Sequence, residues 1–290
     1  MKMNKLRLLK VYNVRLCGSF EYFSWKELCA DSDACTRMNK LHQFKDCKLL
    51  LSGDFKFLSN NLRCLYWHGY PQKSLPLNFH HEQLVELNMS YSRVEQLWKG
   101  LKMYWQLKFV KLSYSQHLIE TPDFSGAPNL RRLILEGCTS LSKVHPSIGD
   151  LNKLVFLNLE GCENLKSFLR TSVQGCMKHL SELSLEGTAV KGLPLSIEYL
   201  TGPVLLNLRN CQNPESLPSC IYRLRSLEIL ILSDCLKLKR ASRSLGKYGE
   251  FVGTFLRWNC SKRATFTNPT SKWTCSVESE RMQKPCNSST

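Results

Sequence analysis

A hydrophobic motif recurs along this chain every 22 to 26 residues, and that recurrence constrains the fold more than any other feature. Registers of the form L-x-x-L-x-L begin at Leu62, Leu84, Leu107, Leu130, Leu154, Leu180, Pro203 and Leu227. The fourth positions are all Leu or Val, and the sixth run Trp67, Met89, Leu112, Leu135, Leu159, Leu185, Leu208 and Leu232. Apolar residues alternate with period two inside each register, as expected of a short strand with one buried face. A unit this small cannot bury its own apolar face. Stacking against neighbours does so, and each buried leucine contributes about 1.5–3 kcal/mol.

The rest of the repeat is also legible. Three residues after the sixth position stand Ser92, Ser115, Cys138, Cys162, Thr188, Cys211 and Cys235. There the chain leaves the strand, and a small side chain with a weak donor can satisfy loop carbonyls, neighbour above neighbour. Apolar residues then bring the chain back: Leu141, Val144, Ile148 and Leu151; Leu193, Ile197 and Leu200; Leu217, Ile221 and Leu224. Prolines at 76, 194 and 218 cannot donate to a helical ladder, so these stretches read as irregular or 3₁₀ turns. Pro203 sits at a strand start, where a missing N–H is tolerated. The pattern is that of a leucine-rich repeat. The predicted fold is an α/β leucine-rich-repeat solenoid, a curved horseshoe with short parallel strands on its concave face and irregular or 3₁₀ turns on its convex face.

Four segments follow from this register. Residues 1–11 form a partial repeat, with Leu6, Leu9 and Val11 inward. Residues 12–60 break the period as an irregular insertion, residues 61–240 hold about eight repeats, and residues 241–290 form a divergent, poorly ordered tail without a recognisable end cap. The set Cys29, Cys35, His42 and Cys47 has spacings that fit no compact zinc module.

Composition excludes several classes. The 290 residues are 43% hydrophobic and 22% charged, which suits a globular chain. No apolar run approaches a membrane span, and the lysines and arginine among the first eleven residues leave no secretory h-region. The net charge of +16 is spread along the chain rather than gathered into a basic arm, so nucleic acid is not the expected partner. Fourteen cysteines in a long chain without a secretion signal read as free thiols. No phosphate-binding loop, dinucleotide fingerprint, zincin motif or nucleophile elbow occurs. His80, His81 and Glu82 sit in a loop as a solvated turn, and the Asn-x-Ser sites at Asn88, Asn259 and Asn287 have no secretory context. The reading is a cytoplasmic, non-enzymatic chain with no cofactor and no metal.

What remains is a surface. Between the inward leucines, the third, fifth, seventh and eighth residues of each register point to the concave face. The third positions supply Glu86, Phe109, Arg132, Phe156 and Glu182, and the fifth supply Tyr66, Asn88, Lys111, Asn158 and Asn207. The seventh supply His68, Glu136, Glu160, Glu186 and Arg209, with Ser90 and Ser113 among them. Glu136, Glu160 and Glu186 form a row of like charges unless Lys111, Arg132 or Arg209 offsets it. Aromatic and polar groups on an exposed sheet predict a protein-binding face.

Three segments carry a more specific likeness: FLSNNLRCLYWHGYPQKSLPLNF (57–79), LVELNMSYSRVEQLWKG (84–100) and LIETPDFSGAPNLRRLILEGCTSL (118–141). Their W-x-G-Y-P and V-E-x-L-W-K-G elements go beyond repeat consensus. The chain resembles, over about 1–11 and 57–240, the leucine-rich region of plant disease-resistance receptors of the Toll/interleukin-receptor, nucleotide-binding, leucine-rich-repeat class. The resemblance implies an intracellular immune receptor. Its repeats would recognise a pathogen effector or a guarded host protein, or restrain the receptor's own nucleotide-binding domain. The sequence departs from that class in showing neither the nucleotide-binding nor the Toll-like domain, so it reads as a truncated receptor. An extracellular leucine-rich-repeat receptor or inhibitor-type binding protein is the alternative. Its usual N-x-L-x-G-x-I-P repeat and signal peptide are both missing.

Overall fold

The structure is a computed structural model, and it describes residues 6–12, 60–77, 79, 82–167, 178–191, 193, 204–211, 227–231, 264–267 and 274–277. Cys29, Cys35, His42 and Cys47, whose spacing fits no compact zinc module, lie outside these residues, as do His80, His81 and Pro203.

Nine strands stack in sequence order with parallel pairing throughout: β1 (Leu8–Tyr12), β2 (Cys64–His68), β3 (Glu86–Asn88), β4 (Phe109–Lys111), β5 (Arg132–Ile134), β6 (Phe156–Asn158), β7 (Glu182–Ser184), β8 (Val204–Asn207) and β9 (Leu227–Ile231). The register matches the sequence repeat. Leu65, Leu87, Val110, Leu133, Leu157, Leu183, Leu206 and Leu230 face one another across the sheet. A bulge between Val204 and Leu205 shifts the last parallel pair.

The core is the column of first, fourth and sixth positions. Leu62, Leu84, Leu107, Leu130, Leu154 and Leu180 are fully buried, as are Leu112, Leu135, Leu159 and Leu185. The return segments contribute Leu141, Ile148 and Leu151, with Val144 and Leu193 packed at its margin. One 3₁₀ turn, Pro146–Asp150, opens with its proline in the first turn, where no backbone donor is needed. Leu6 and Leu9 pack against the same core, placing β1 in the repeat's register.

The ninth positions form the expected ladder. Ser115 Oγ donates to the Met89 carbonyl (3.2 Å), Cys138 Sγ to that of Leu112 (3.2 Å), Cys162 Sγ to that of Leu135 (3.2 Å) and Cys211 Sγ to that of Leu185 (3.1 Å). Each donor reaches the sixth residue of the preceding repeat. Burial pushes the Cys138 thiol up to about 12, so these sulfurs serve as packing and weak donors rather than nucleophiles.

The C-terminal region shows what the leucine period does not announce. Strand β10 (Ala264–Thr267) adds antiparallel to β9, with Phe266 opposite Leu230, and β11 (Thr274–Val277) adds antiparallel to β10. A β-branched strand beside β9 pairs backbone groups that a bare solenoid end would leave open.

Candidate functional site

The open face of the sheet carries the third, fifth and seventh positions, and strand pairing fixes their order. The third-position row is Cys64, Glu86, Phe109, Arg132, Phe156, Glu182 and Leu205. Phe109, Arg132 and Phe156 are therefore neighbours on three successive strands. The exposed Arg132 lays its guanidinium 4.5 Å from the Phe156 ring centre, a cation–π contact that holds two long side chains in one patch. Glu86 and Glu182 are half-buried at the two ends of that trio. Tyr66, in the fifth-position row, has the Lys10 ammonium 5.1 Å from its ring centre.

The asparagines of the fifth row turn out to build the turn. Asn158 Oδ1 accepts the backbone N–H of Glu160 (2.8 Å), Asn207 Oδ1 that of Arg209 (3.0 Å), and Asn88 Oδ1 both the N–H and hydroxyl of Ser90. Each such bond presents the seventh residue at a fixed angle. Lys111 stands half-buried between Asn88 and Ile134 in the same row.

The seventh row divides by side-chain length, which corrects one expectation. Ser90 and Ser113 are buried, Ser113 at 1% exposure, because a hydroxymethyl group stays below a surface that longer side chains reach. His68, Glu136, Glu160, Glu186 and Arg209 are all half-buried there. Burial, and then the Lys111 charge, lower the His68 pKa to about 4, so its imidazole is neutral at pH 7.

The glutamate row is real, and its members are stabilised differently. Tyr114 donates its hydroxyl to Glu136 at 2.5 Å. Glu186 accepts from Asn207 Nδ2 (2.9 Å) and has Arg209 Nε at 3.6 Å. Of the cations expected to offset the row, Arg209 approaches Glu186, while Arg132 is turned to Phe156. Glu160 lies between the two satisfied carboxylates, with no side-chain donor among the described residues. Burial, then the charges of Glu186 and Glu136, push its pKa above the usual carboxylate range.

Tyr91 and Tyr114, at eighth positions that the register places on the concave face, are functional candidates that the residue types alone do not single out. Every eighth position from 69 to 210 has a left-handed backbone: Gly69, Tyr91, Tyr114, Gly137, Gly161, Gly187 and Asn210 all have φ between 53° and 69°. Glycine and asparagine adopt that conformation readily, whereas a tyrosine is strained there. The two tyrosines stack, ring centres 5.2 Å apart and planes 13° apart, and Tyr91 remains partly exposed. The signal was present in the sequence as two tyrosines in a slot otherwise held by glycine or asparagine.

Among the described residues, no group of three His, Cys, Asp or Glu side chains is placed to hold a metal, and no helix is long and apolar enough to cross a membrane.

Comparison with known proteins supplies the family. Residues 83–102 match the Leucine Rich Repeat family. Disease resistance protein RPS4B of Arabidopsis thaliana is 35% identical over 237 residues, 82% of this chain and 18% of that protein. TMV resistance protein N of Nicotiana glutinosa is 33% identical over 236 residues, 74% of this chain and 21% of that protein. Disease resistance protein RPP2A of Arabidopsis thaliana is 41% identical over 191 residues, 60% of this chain and 15% of that protein. The chain thus spans about a fifth of the length of these relatives. A solved structure, the LRR protein LIC12759 of Leptospira interrogans, aligns at 21% identity with a TM-score of 0.42, covering 60% of this chain and 43% of that one. Repeat register, strand order and relatives agree: the chain is a leucine-rich-repeat solenoid that belongs with the leucine-rich regions of the plant TIR-NB-LRR disease resistance proteins.

Proposed function

We propose that the open face of the sheet is the protein-recognition surface of an intracellular plant immune receptor, acting in the cytoplasm. The observation that carries this reading is the continuous patch of Phe109, Arg132 and Phe156 beside the row Glu136, Glu160 and Glu186. Aromatic and arginine side chains act as interface anchors because they offer large contact area with few rotamers to freeze. The carboxylates beside them favour a partner that presents basic side chains, and Glu160 in particular has an acceptor to offer. The partner is a pathogen effector, a guarded host protein or the receptor's own nucleotide-binding domain. In the first two cases the surface senses; in the third it restrains the nucleotide switch.

Co-precipitation from plant tissue tests the reading, comparing the parent with a variant carrying Phe109→Ala, Arg132→Ala, Phe156→Ala and Glu160→Ala. The expected result is loss of the captured protein with the variant still folded. A folded variant that retains every partner places recognition on another surface.

A further inference from the structure

A second surface lies apart from the open face, along the edge where the parallel strands begin. Four large apolar side chains stand exposed in the segments that lead into β3 and β4: Leu77 at 74%, Leu101 at 58%, Met103 at 44% and Trp105 at 50%. Hydrogen bonds tie down the backbone that displays them. Tyr104, between Met103 and Trp105, is buried; it donates its hydroxyl to the Phe79 carbonyl (3.2 Å) and its N–H to the Gly126 carbonyl (2.7 Å). Lys102 Nζ donates to the Leu77 carbonyl (2.7 Å), which ties the two segments together, and Asn129 Nδ2 donates to the Trp105 carbonyl (2.6 Å). Gly126 backs the segment so closely that an added Cβ would lie 2.1 Å from the Lys102 oxygen. With Tyr104 anchored inward, Leu101, Met103 and Trp105 are held outward.

The same edge is basic. Lys99, Lys108 and Arg131 are exposed, with Lys108 and Arg131 at the starts of adjacent strands. Lys153 extends this line through its bond to Asn129 (2.6 Å). The exposed carboxylates Glu82 and Asp150 are outnumbered there, on a chain whose net charge is +16.

We propose that this edge seats the protein on an anionic membrane surface, with Trp105, Leu101, Met103 and Leu77 entering the interface and the lysines and arginine lying over lipid headgroups. Size decides between this and a protein partner. Four apolar side chains fall far short of the roughly 20–30 residues per side that a stable protein interface uses. A bilayer interface needs only a few apolar side chains when basic residues lie beside them, and tryptophan favours that boundary. This inference does not depend on the recognition role of the open face.

Co-sedimentation of the 290-residue chain with vesicles tests it, using phosphatidylcholine alone and with about 30 mol % phosphatidylserine. Binding is expected to the anionic vesicles, to weaken with added salt, and to fall roughly tenfold or more in the Leu101→Ser, Trp105→Ser variant. Melting of that variant near the parent's temperature shows that the fold is kept. Brominated lipid should quench tryptophan emission in the parent and quench it less in Trp105→Phe. Three results each overturn the proposal: no binding to anionic vesicles, which leaves the patch to a protein; equal binding by the folded double variant, which makes net charge sufficient; or parent quenching that Trp105→Phe leaves unchanged.

Discussion

The ring of Tyr114 lies directly over Gly137: a Cβ built at residue 137 would sit 2.4 Å from Tyr114 Cδ1. The contact links two successive eighth positions, one carrying a strained tyrosine and the other a glycine that leaves it room. At the next step of the row, a Cβ on Gly161 would meet only the Gly137 backbone, at 3.5 Å.

Gly137→Ala should therefore destabilise the chain more than Gly161→Ala. Both substitutions place an alanine at φ near +68°, costing about 1–2 kcal/mol. Gly137→Ala must also displace the Tyr114 ring, its stack on Tyr91 and its bond to Glu136, for roughly a further 1–2 kcal/mol. In a Tyr114→Ala background the cost at 137 should drop to that at 161. Denaturant titration of the four variants measures this coupling; equal costs at the two glycines in the parent background would refute it.

A pH dependence follows from Glu160. Its folded pKa stands above the usual carboxylate range, raised first by burial and then by Glu186 and Glu136. The native state therefore holds this proton more tightly than the unfolded chain, and ionisation costs stability as pH rises through the unfolded and then the folded value. Glu160→Gln should melt above the parent at pH 7, with the difference shrinking toward pH 4. His68, held down to about 4, is protonated less readily when folded and lowers the parent's own stability as pH falls below about 6.5. The informative quantity is thus the variant-minus-parent difference, and a difference constant from pH 4 to pH 7 would contradict the assignment.

Buried ladder thiols should be unreactive in the folded chain. Iodoacetamide at pH 8 followed by peptide mass spectrometry should leave Cys138, Cys162 and Cys211 unlabelled, and all three should label after unfolding in guanidinium. Cys138→Ser should cost no more than about 1 kcal/mol, since Ser115 fills the same donor role one repeat earlier. Rapid native labelling of any of the three would show that the ladder opens.

Leu159→Asp should prevent folding under ordinary conditions. Leu159 is fully buried between strands, and an unpaired carboxylate there costs several kcal/mol. Calorimetry should show no cooperative transition; a melt within a degree or two of the parent would show that the register is wrong.

Most of the fold is visible in the leucines because the solenoid repeats one burial problem, and Leu65, Leu87 and Leu133 solve it identically. The ladder of Cys138, Cys162 and Cys211 is visible for the same reason. Details outside that period are harder to read. Burial of Ser90 and Ser113 depends on side-chain reach, which the register does not encode. The bonding of Asn158 and Asn207 to their own turns depends on local backbone angles, and the pairing of β10 with β9 joins segments that share no repeat. For the candidate site, the order of Phe109, Arg132 and Phe156 follows from the register alone. The choice of Arg132 for Phe156 rather than for the glutamates is a matter of geometry.

Recognition by the open sheet face is tested most directly by site-specific photo-crosslinking. A photoreactive phenylalanine analogue is placed at Phe156 in the third-position row, or at Lys143, exposed in the return segment beyond Leu141. Both forms are expressed in plant tissue and irradiated, after their melting temperatures are matched to the parent. The account predicts a discrete protein adduct from position 156 and none of that mass from position 143. An adduct from 143 with none from 156 would contradict it, placing the recognition surface on the opposite side of the solenoid.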